Sequence, residues 1–143
     1  MADVNMMAAK FEATLQQRGL KYERREGFER PAFVLNFGGG DFQYSHVAIH
    51  VIFDDNGESA QFITSPIVSV SADKTASLLL ACNKANCRFR WVKFYLDDDN
   101  DLVANADVLI DEYTVGEECA GIVSRIASII DDAYPDFMKA MWA

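Results

Sequence analysis

The stretch SADKTASLLLACNKANCRFRWVKFYLDDDNDLVANADVLID, residues 71–111, decides how the rest of the chain is read. Its first half has helical spacing. At 100° per residue, Ala76, Leu78, Leu79, Leu80, Cys82 and Ala85 cover an arc of about 220°, and Lys74, Ser77 and Lys84 take the remainder. So broad an apolar surface predicts burial on more than one side, either between a sheet and another helix or between a sheet and a second subunit. Ser71 or Asp73 can cap the start. Asn83 and Asn86 fall inside the apolar arc. Buried amides need hydrogen-bond partners, so both are expected to close the helix end and pin the connection to the next strand.

The second half changes to a period of two. Arg88 to Leu96 is expected to be a strand, with Phe89, Trp91 and Tyr95 on one face and Val92, Phe94 and Leu96 on the other. Apolar groups on both faces imply an interior position or a covering partner. Asp97-Asp98-Asp99-Asn100-Asp101 makes the turn. The return strand, Leu102 to Asp111, alternates Leu102, Ala104, Ala106, Val108 and Ile110 against Asn105, Asp107 and Asp111.

Working toward the N-terminus, Ala60 to Val70 reads as a strand in which Pro66 removes one ladder donor, implying an edge, a bulge or a bend. Asp54-Asp55-Asn56-Gly57 joins it to Ser45–Phe53, where Val47, Ile49, Val51 and Phe53 share one face. Ala32 to Phe37 is a further strand, stopped by Gly38-Gly39-Gly40. Lys21 to Arg30, broken by Tyr22 and Phe28, is an edge strand or a connection. Before it, Val4, Met7, Ala8, Phe11 and Leu15 form the stripe of a helix over residues 3–18, with Asp3 as N-cap and Gly19 as the left-handed stop. Working toward the C-terminus, Thr114-Val115-Gly116-Glu117 is a capping box for a last helix whose apolar face carries Ile122, Ile126, Ile129, Ile130 and Ala133. Pro135 is expected to kink or end it, with a further helical segment from Asp136 to Trp142 docking Met138, Met141 and Trp142. The sum is an α+β chain, 1–143 as a single domain: helix, three antiparallel strands, helix, two antiparallel strands, helix.

Motifs that would announce chemistry fall short of their requirements. The three glycines are followed by no Gly-Lys-Ser/Thr, so they read as a flexible hairpin turn. His46 and His50 would be about 13 Å apart on a strand, too far to share one zinc ion. Asp97, Asp99 and Asp101 match the first positions of a calcium loop, but Leu102 and Val108 stand where glycine and glutamate are needed. No cofactor is expected. The net charge of −9 is uneven: residues 1–93 hold 11 basic and 10 acidic side chains, residues 94–143 hold 2 and 12. Nucleic acid would be repelled by the second part. In the first, Arg18, Lys21, Arg24, Arg25 and Arg30 interleave with Glu23, Glu26 and Glu29 as a mixed solvated face. No apolar run is long enough to span a membrane. Met1-Ala2-Asp3-Val4-Asn5 lacks a signal-peptide pattern, and three cysteines without CxxC spacing read as reduced thiols of a cytoplasmic protein.

Leu80-Ala81-Cys82-Asn83-Lys84-Ala85-Asn86, followed by Phe94-Tyr95-Leu96-Asp97-Asp98-Asp99-Asn100-Asp101-Leu102-Val103-Ala104 and a capped C-terminal helix, resembles the YbjN-like family of small bacterial sensory transduction regulators. The resemblance covers roughly residues 1–140. It implies a two-layer sandwich similar to class I type III secretion chaperones, which are acidic cytosolic homodimers that bind extended segments of other proteins. It carries over no catalytic residues. The expected function is therefore a non-enzymatic protein-binding module, a regulatory or chaperone-like adaptor working as a homodimer, with Leu78, Leu79, Cys82, Trp91 and Phe94 as the partner or dimer surface. The alternative is a small-ligand sensor or enzyme with a pocket between the sheet and the second helix, using His46, His50, Cys82 and Asp41.

Overall fold

The computed structural model describes residues 3–25 and 29–142; Met1, Ala2, Glu26, Phe28 and the expectations attached to them lie outside that range. The element order is α1 (Val4–Gln17), β1 (Glu23–Arg25), β2 (Ala32–Phe37), β3 (Val47–Phe53), β4 (Ser59–Thr64), β5 (Val68–Ser69), α2 (Thr75–Arg88), β6 (Lys93–Leu96), β7 (Asp101–Leu109) and α3 (Val115–Trp142). The seven strands form one antiparallel sheet in the order β1-β2-β3-β4-β7-β5, with β6 also paired to β7. Expected and observed architectures agree in α+β class and in the alternation of helices with runs of strands, but seven strands stand where five are expected, because β1 adds an edge and the Pro66 strand is divided.

One sheet face packs on the helices. Phe33, Leu35, Ile49, Val51, Phe53 and Phe62 join Met7, Phe11 and Leu15 of α1 and Val123, Ile126 and Ile130 of α3 in one core. Phe11 meets Phe33 edge-on at 5.2 Å between ring centroids and Phe53 at 5.6 Å. α1 and α3 run together closely enough that a Cβ on Gly116 would collide with the Thr14 hydroxyl, so glycine there is a packing requirement. Asp3 caps α1 by accepting the Asn5 N–H at 2.9 Å. Gly19, at φ +70°, ends it while Leu20 N–H returns to the Leu15 carbonyl at 2.9 Å.

Four local expectations need correction. The strand from Ala60 to Val70 is split at Ser65-Pro66-Ile67, and both pieces, β4 and β5, lie along the same side of β7. Where the ladder breaks, the buried Thr64 hydroxyl accepts the Ala104 N–H at 2.9 Å. The expected strand from Arg88 is instead helix as far as Arg88 and loop to Val92, leaving β6 only Lys93–Leu96; Trp91 sits at φ +75°, which no strand permits. Neither expected residue caps the start of α2: Ser71 makes no side-chain cap, Asp73 lies within a short 3₁₀ turn over Ala72–Lys74, and Lys74 holds the N-cap position without a side-chain bond. The capping box at α3 is replaced by Asp111. One of its carboxylate oxygens accepts Tyr113 N–H, Thr114 N–H and the Thr114 hydroxyl at 2.8, 3.0 and 3.1 Å, and these bonds hold its pKa below the ordinary value.

Pro135 neither ends nor divides α3, which runs unbroken to Trp142. A proline frees the carbonyl four residues earlier, here that of Asp131. Gln43 takes it: its side-chain amide donates to Asp131 O at 2.9 Å, and its backbone N–H donates to the Asp131 carboxylate at 2.7 Å. The Gly38–Gly40 loop is thus docked rather than flexible, and Tyr44 fastens it further by donating its hydroxyl to Ala127 O at 2.9 Å. At the end of α3, Met141 is buried and Met138 half-buried, as docking requires, but Trp142 is 78% exposed.

Candidate functional site

The groups that would make an enzyme or sensor pocket do not meet. Cys82 is buried in the core under α2, its thiol pushed up to about 11 by burial. His50 lies on the sheet face away from the helices, between Val34 and Ile63 in cross-strand register. Burial there lowers its pKa, with a further contribution from Arg25. His46 is in the β2–β3 loop, bonded to Asn36 at 2.8 Å, and Asp41 is exposed in the same loop. Cys119, the other buried thiol, is pushed up to about 12 by burial and the Glu118 charge. Thiols held protonated in apolar surroundings are poor nucleophiles. Asp97, Asp99 and Asp101 bring carboxylate oxygens within 4.8 Å of one another, but Asp97 already accepts the Asp99 and Asp101 N–H groups at 3.0 and 2.9 Å as a turn-former.

The two asparagines at the end of α2 behave differently. Asn86 places its amide against Phe94, donating to the carbonyl at 3.0 Å and accepting the N–H at 2.8 Å. It thereby occupies the outer edge of β6 as a neighbouring strand would. Both asparagines are exposed, so the expectation of buried amides is corrected for each; it is Asn86 that pins the helix end to the strand. Of the apolar arc, Leu78, Cys82 and Ala85 are buried within the chain, and Ala76, Leu79 and Leu80 face outward. Of the five residues expected to form a partner surface, Leu78, Cys82 and Phe94 are core, Phe94 stacking on Phe137 at 5.0 Å. Leu79 and Trp91 are exposed, joined by Leu80, Leu109, Tyr113 and Trp142. Leu109 is absent from the sequence-based expectation; its signal is that, with Val103, it is apolar on the otherwise polar register of its strand.

Among the clefts that adjoin these exposed side chains, two flank α3 beside α2 and beside β7. One, about 410 Å³, runs between α2 and the end of α3, past Leu80, Lys84, Asp136 and Lys139. The other, about 600 Å³, lies between the last third of β7 and the start of α3. Its walls include Trp91, Asp107, Leu109, Glu118, Gly121 and Arg125. Arg125 lies over the Trp91 ring at 5.6 Å. Among the described residues no ion pair engages Asp107, Glu117 or Glu118, and no helix is long and apolar enough to cross a membrane.

Three helices against one face of an antiparallel sheet, strung in this order, define the class: an α+β fold of the type III secretion chaperone kind. The structure is similar to the Yersinia pestis type III secretion chaperone SycH in complex with a stable fragment of YscM2, at 16% identity and TM-score 0.52 over 90% of this chain and 98% of that one. It is also similar to the ExsC–ExsE complex, at 16% identity and TM-score 0.56 over 100% and 99%. Within that class the chain belongs to the YbjN family, described as "Putative bacterial sensory transduction regulator", whose signature spans residues 8–139. The crystal structure of YbjN from E. coli matches at 17% identity and TM-score 0.58 over 89% of this chain and 90% of that one. Among curated proteins, none matches the sequence significantly.

Proposed function

We propose that this chain is a non-enzymatic protein-binding module, a bacterial regulatory or chaperone-like adaptor that works as a homodimer. The observation that carries the reading is the pair Leu79 and Leu80, both more than half exposed on the outer surface of α2. Fully burying an exposed leucine contributes about 1.5–3 kcal/mol, and covering the half of Leu79 and of Leu80 still in water would contribute about half of that for each. The buried thiols and the separated histidines support a role without covalent chemistry. Two proteins of the same fold, SycH and ExsC, are seen with protein partners, which supports the same reading by analogy of fold.

The test is the mass in solution. Wild-type protein at micromolar concentration is expected to sediment at twice the 16.0 kDa chain mass, and Leu79→Glu with Leu80→Glu to sediment as a folded monomer. A wild type that stays monomeric through the millimolar range, with Leu79 and Leu80 dispensable for every protein it retains, overturns the reading.

A further inference from the structure

The outer side of β7 is only partly covered. β6 pairs with residues 102–105 and stops. Beyond that point Asp107 and Leu109 are paired to β4 alone, through Gln61 and Ser59. Successive residues of an antiparallel strand direct their N–H and C=O groups to opposite sides. Ile110 N–H donates to Glu58 O on the β4 side at 2.9 Å, so Asp107 and Leu109 aim theirs at the open side. That side is the floor of the 600 Å³ cleft. Leu109 is 82% exposed and Trp91, at the cleft mouth, 58%.

The opposite wall carries a second sign of an absent occupant. Gly121 sits in the middle of a helical turn of α3, where glycine is less favourable than alanine. A Cβ built on it meets no atom within 4 Å. Gly116, five residues earlier, is forced by Thr14; nothing inside this chain forces Gly121. A missing side chain beside an unpaired strand edge leaves room for another backbone. Three carboxylates, Asp107, Glu117 and Glu118, line the cleft against one cation, Arg125, and among the described residues no ion pair engages those carboxylates.

We propose that the Asp107–Leu109 edge of β7, walled by Gly121 of α3, binds an extended segment of a partner protein that bears Lys or Arg among apolar residues. The segment adds as a strand. Its backbone pairs with Asp107 and Leu109, its apolar side chains meet Trp91 and Leu109, and its cations meet the carboxylates. A second copy of this chain is the poorer occupant, because pairing this edge with itself sets the same three acids of each copy together. The proposal rests on the reading of the chain as a protein-binding module and names the class of segment it takes.

The test uses a fluorescein-labelled nonapeptide of alternating Lys and Val. Two controls of equal length accompany it: alternating Glu and Val, and the Lys/Val peptide with every interior amide N-methylated. Expected are saturable anisotropy with the Lys/Val peptide alone and slowed exchange of the Asp107 and Leu109 amides on binding. Gly121→Leu, which fills the cleft from the solvent-facing wall, should weaken binding at least tenfold without lowering Tm. Leu109→Pro, which removes one outward donor and no native ladder bond, should do likewise. Equal binding of the N-methylated peptide, protection confined to another surface, or protection of the two amides by self-association alone each overturns the proposal. Leu79→Glu with Leu80→Glu lies outside this cleft, so the two readings separate. A wild type that is monomeric yet binds the Lys/Val peptide sinks the dimer reading and leaves this one standing. A wild-type dimer that the double variant dissociates, with no peptide bound by either, sinks this one and leaves the dimer reading standing.

Discussion

The outer side of β7 is one continuous edge treated in two ways. Over residues 102–105 it is covered by β6, and the edge of β6 is in turn occupied by the Asn86 amide. Over 107–109 it is bare and faces a cleft. Exposed strand edges template unwanted pairing, and proteins blunt them with charges, bulges or covering elements. Here the blunting is done twice within one stretch and omitted a few residues on. An omission beside so thorough a defence marks the bare stretch as a place of use. α3 repeats the contrast with its glycines, Gly116 enforced by a neighbouring helix and Gly121 facing open space.

The largest expected effect comes from breaking the covered half. Asn86→Leu leaves the Phe94 N–H and C=O without partners, a loss of about 2 kcal/mol for partly buried backbone groups. Equilibrium urea unfolding should show the midpoint falling, with exchange of the Phe94 amide quickened; an unmoved midpoint would mean the amide is decoration. Next, Gly116→Ala forces a methyl group onto the Thr14 side chain and should cost about 1–2 kcal/mol, with part of it recovered by adding Thr14→Ala. Gly121→Ala should go the other way, stabilising by up to about 1 kcal/mol and raising Tm by about 2–4 °C in calorimetry. If both alanine variants destabilise alike, the contrast between the two glycines is void. The smallest effect concerns the sheet face away from the helices. His50 has a folded pKa lowered from its ordinary 6.5 by burial, so the native state favours the neutral ring. That contribution is complete above pH 6.5 and is lost as pH falls through 6.5 toward the lowered value. His50→Gln should flatten the stability profile between pH 7 and 5.

The sequence exposed whatever depends on near neighbours. The period-two runs at Ala32–Phe37 and Val47–Phe53, the stripe of α1 and the Asp3 and Gly19 boundaries all follow from residues within a few positions. The acidic turn after Leu96 was legible for the same reason. What failed depended on distant partners. Pro135 reads as a stop only while Gln43 is out of view. Arg88–Val92 reads as strand by its alternation, although Asn86 must reach forward to Phe94, which sets where the strand can begin. The candidate surface suffered most. Leu78, Cys82 and Phe94 were marked by the same apolarity as Leu79 and Trp91, and only the tertiary arrangement separates the core members from the exposed ones. The bare edge of β7 is a property of pairing, which no single residue announces, although Leu109 out of step with its strand was a usable hint.

The bond from Gln43 to Asp131 has a consequence for the order in which the molecule is made. The two residues are separated by 88 positions, so on the ribosome the loop before Tyr44 emerges long before the helix that needs it. Until α3 is synthesised past Pro135, Gln43 has only water to bind. The final turns of that helix in turn lack their missing bond until they reach the loop. The β2–β3 loop is therefore fastened only after α3 has been made, although the strands it joins can pair before then.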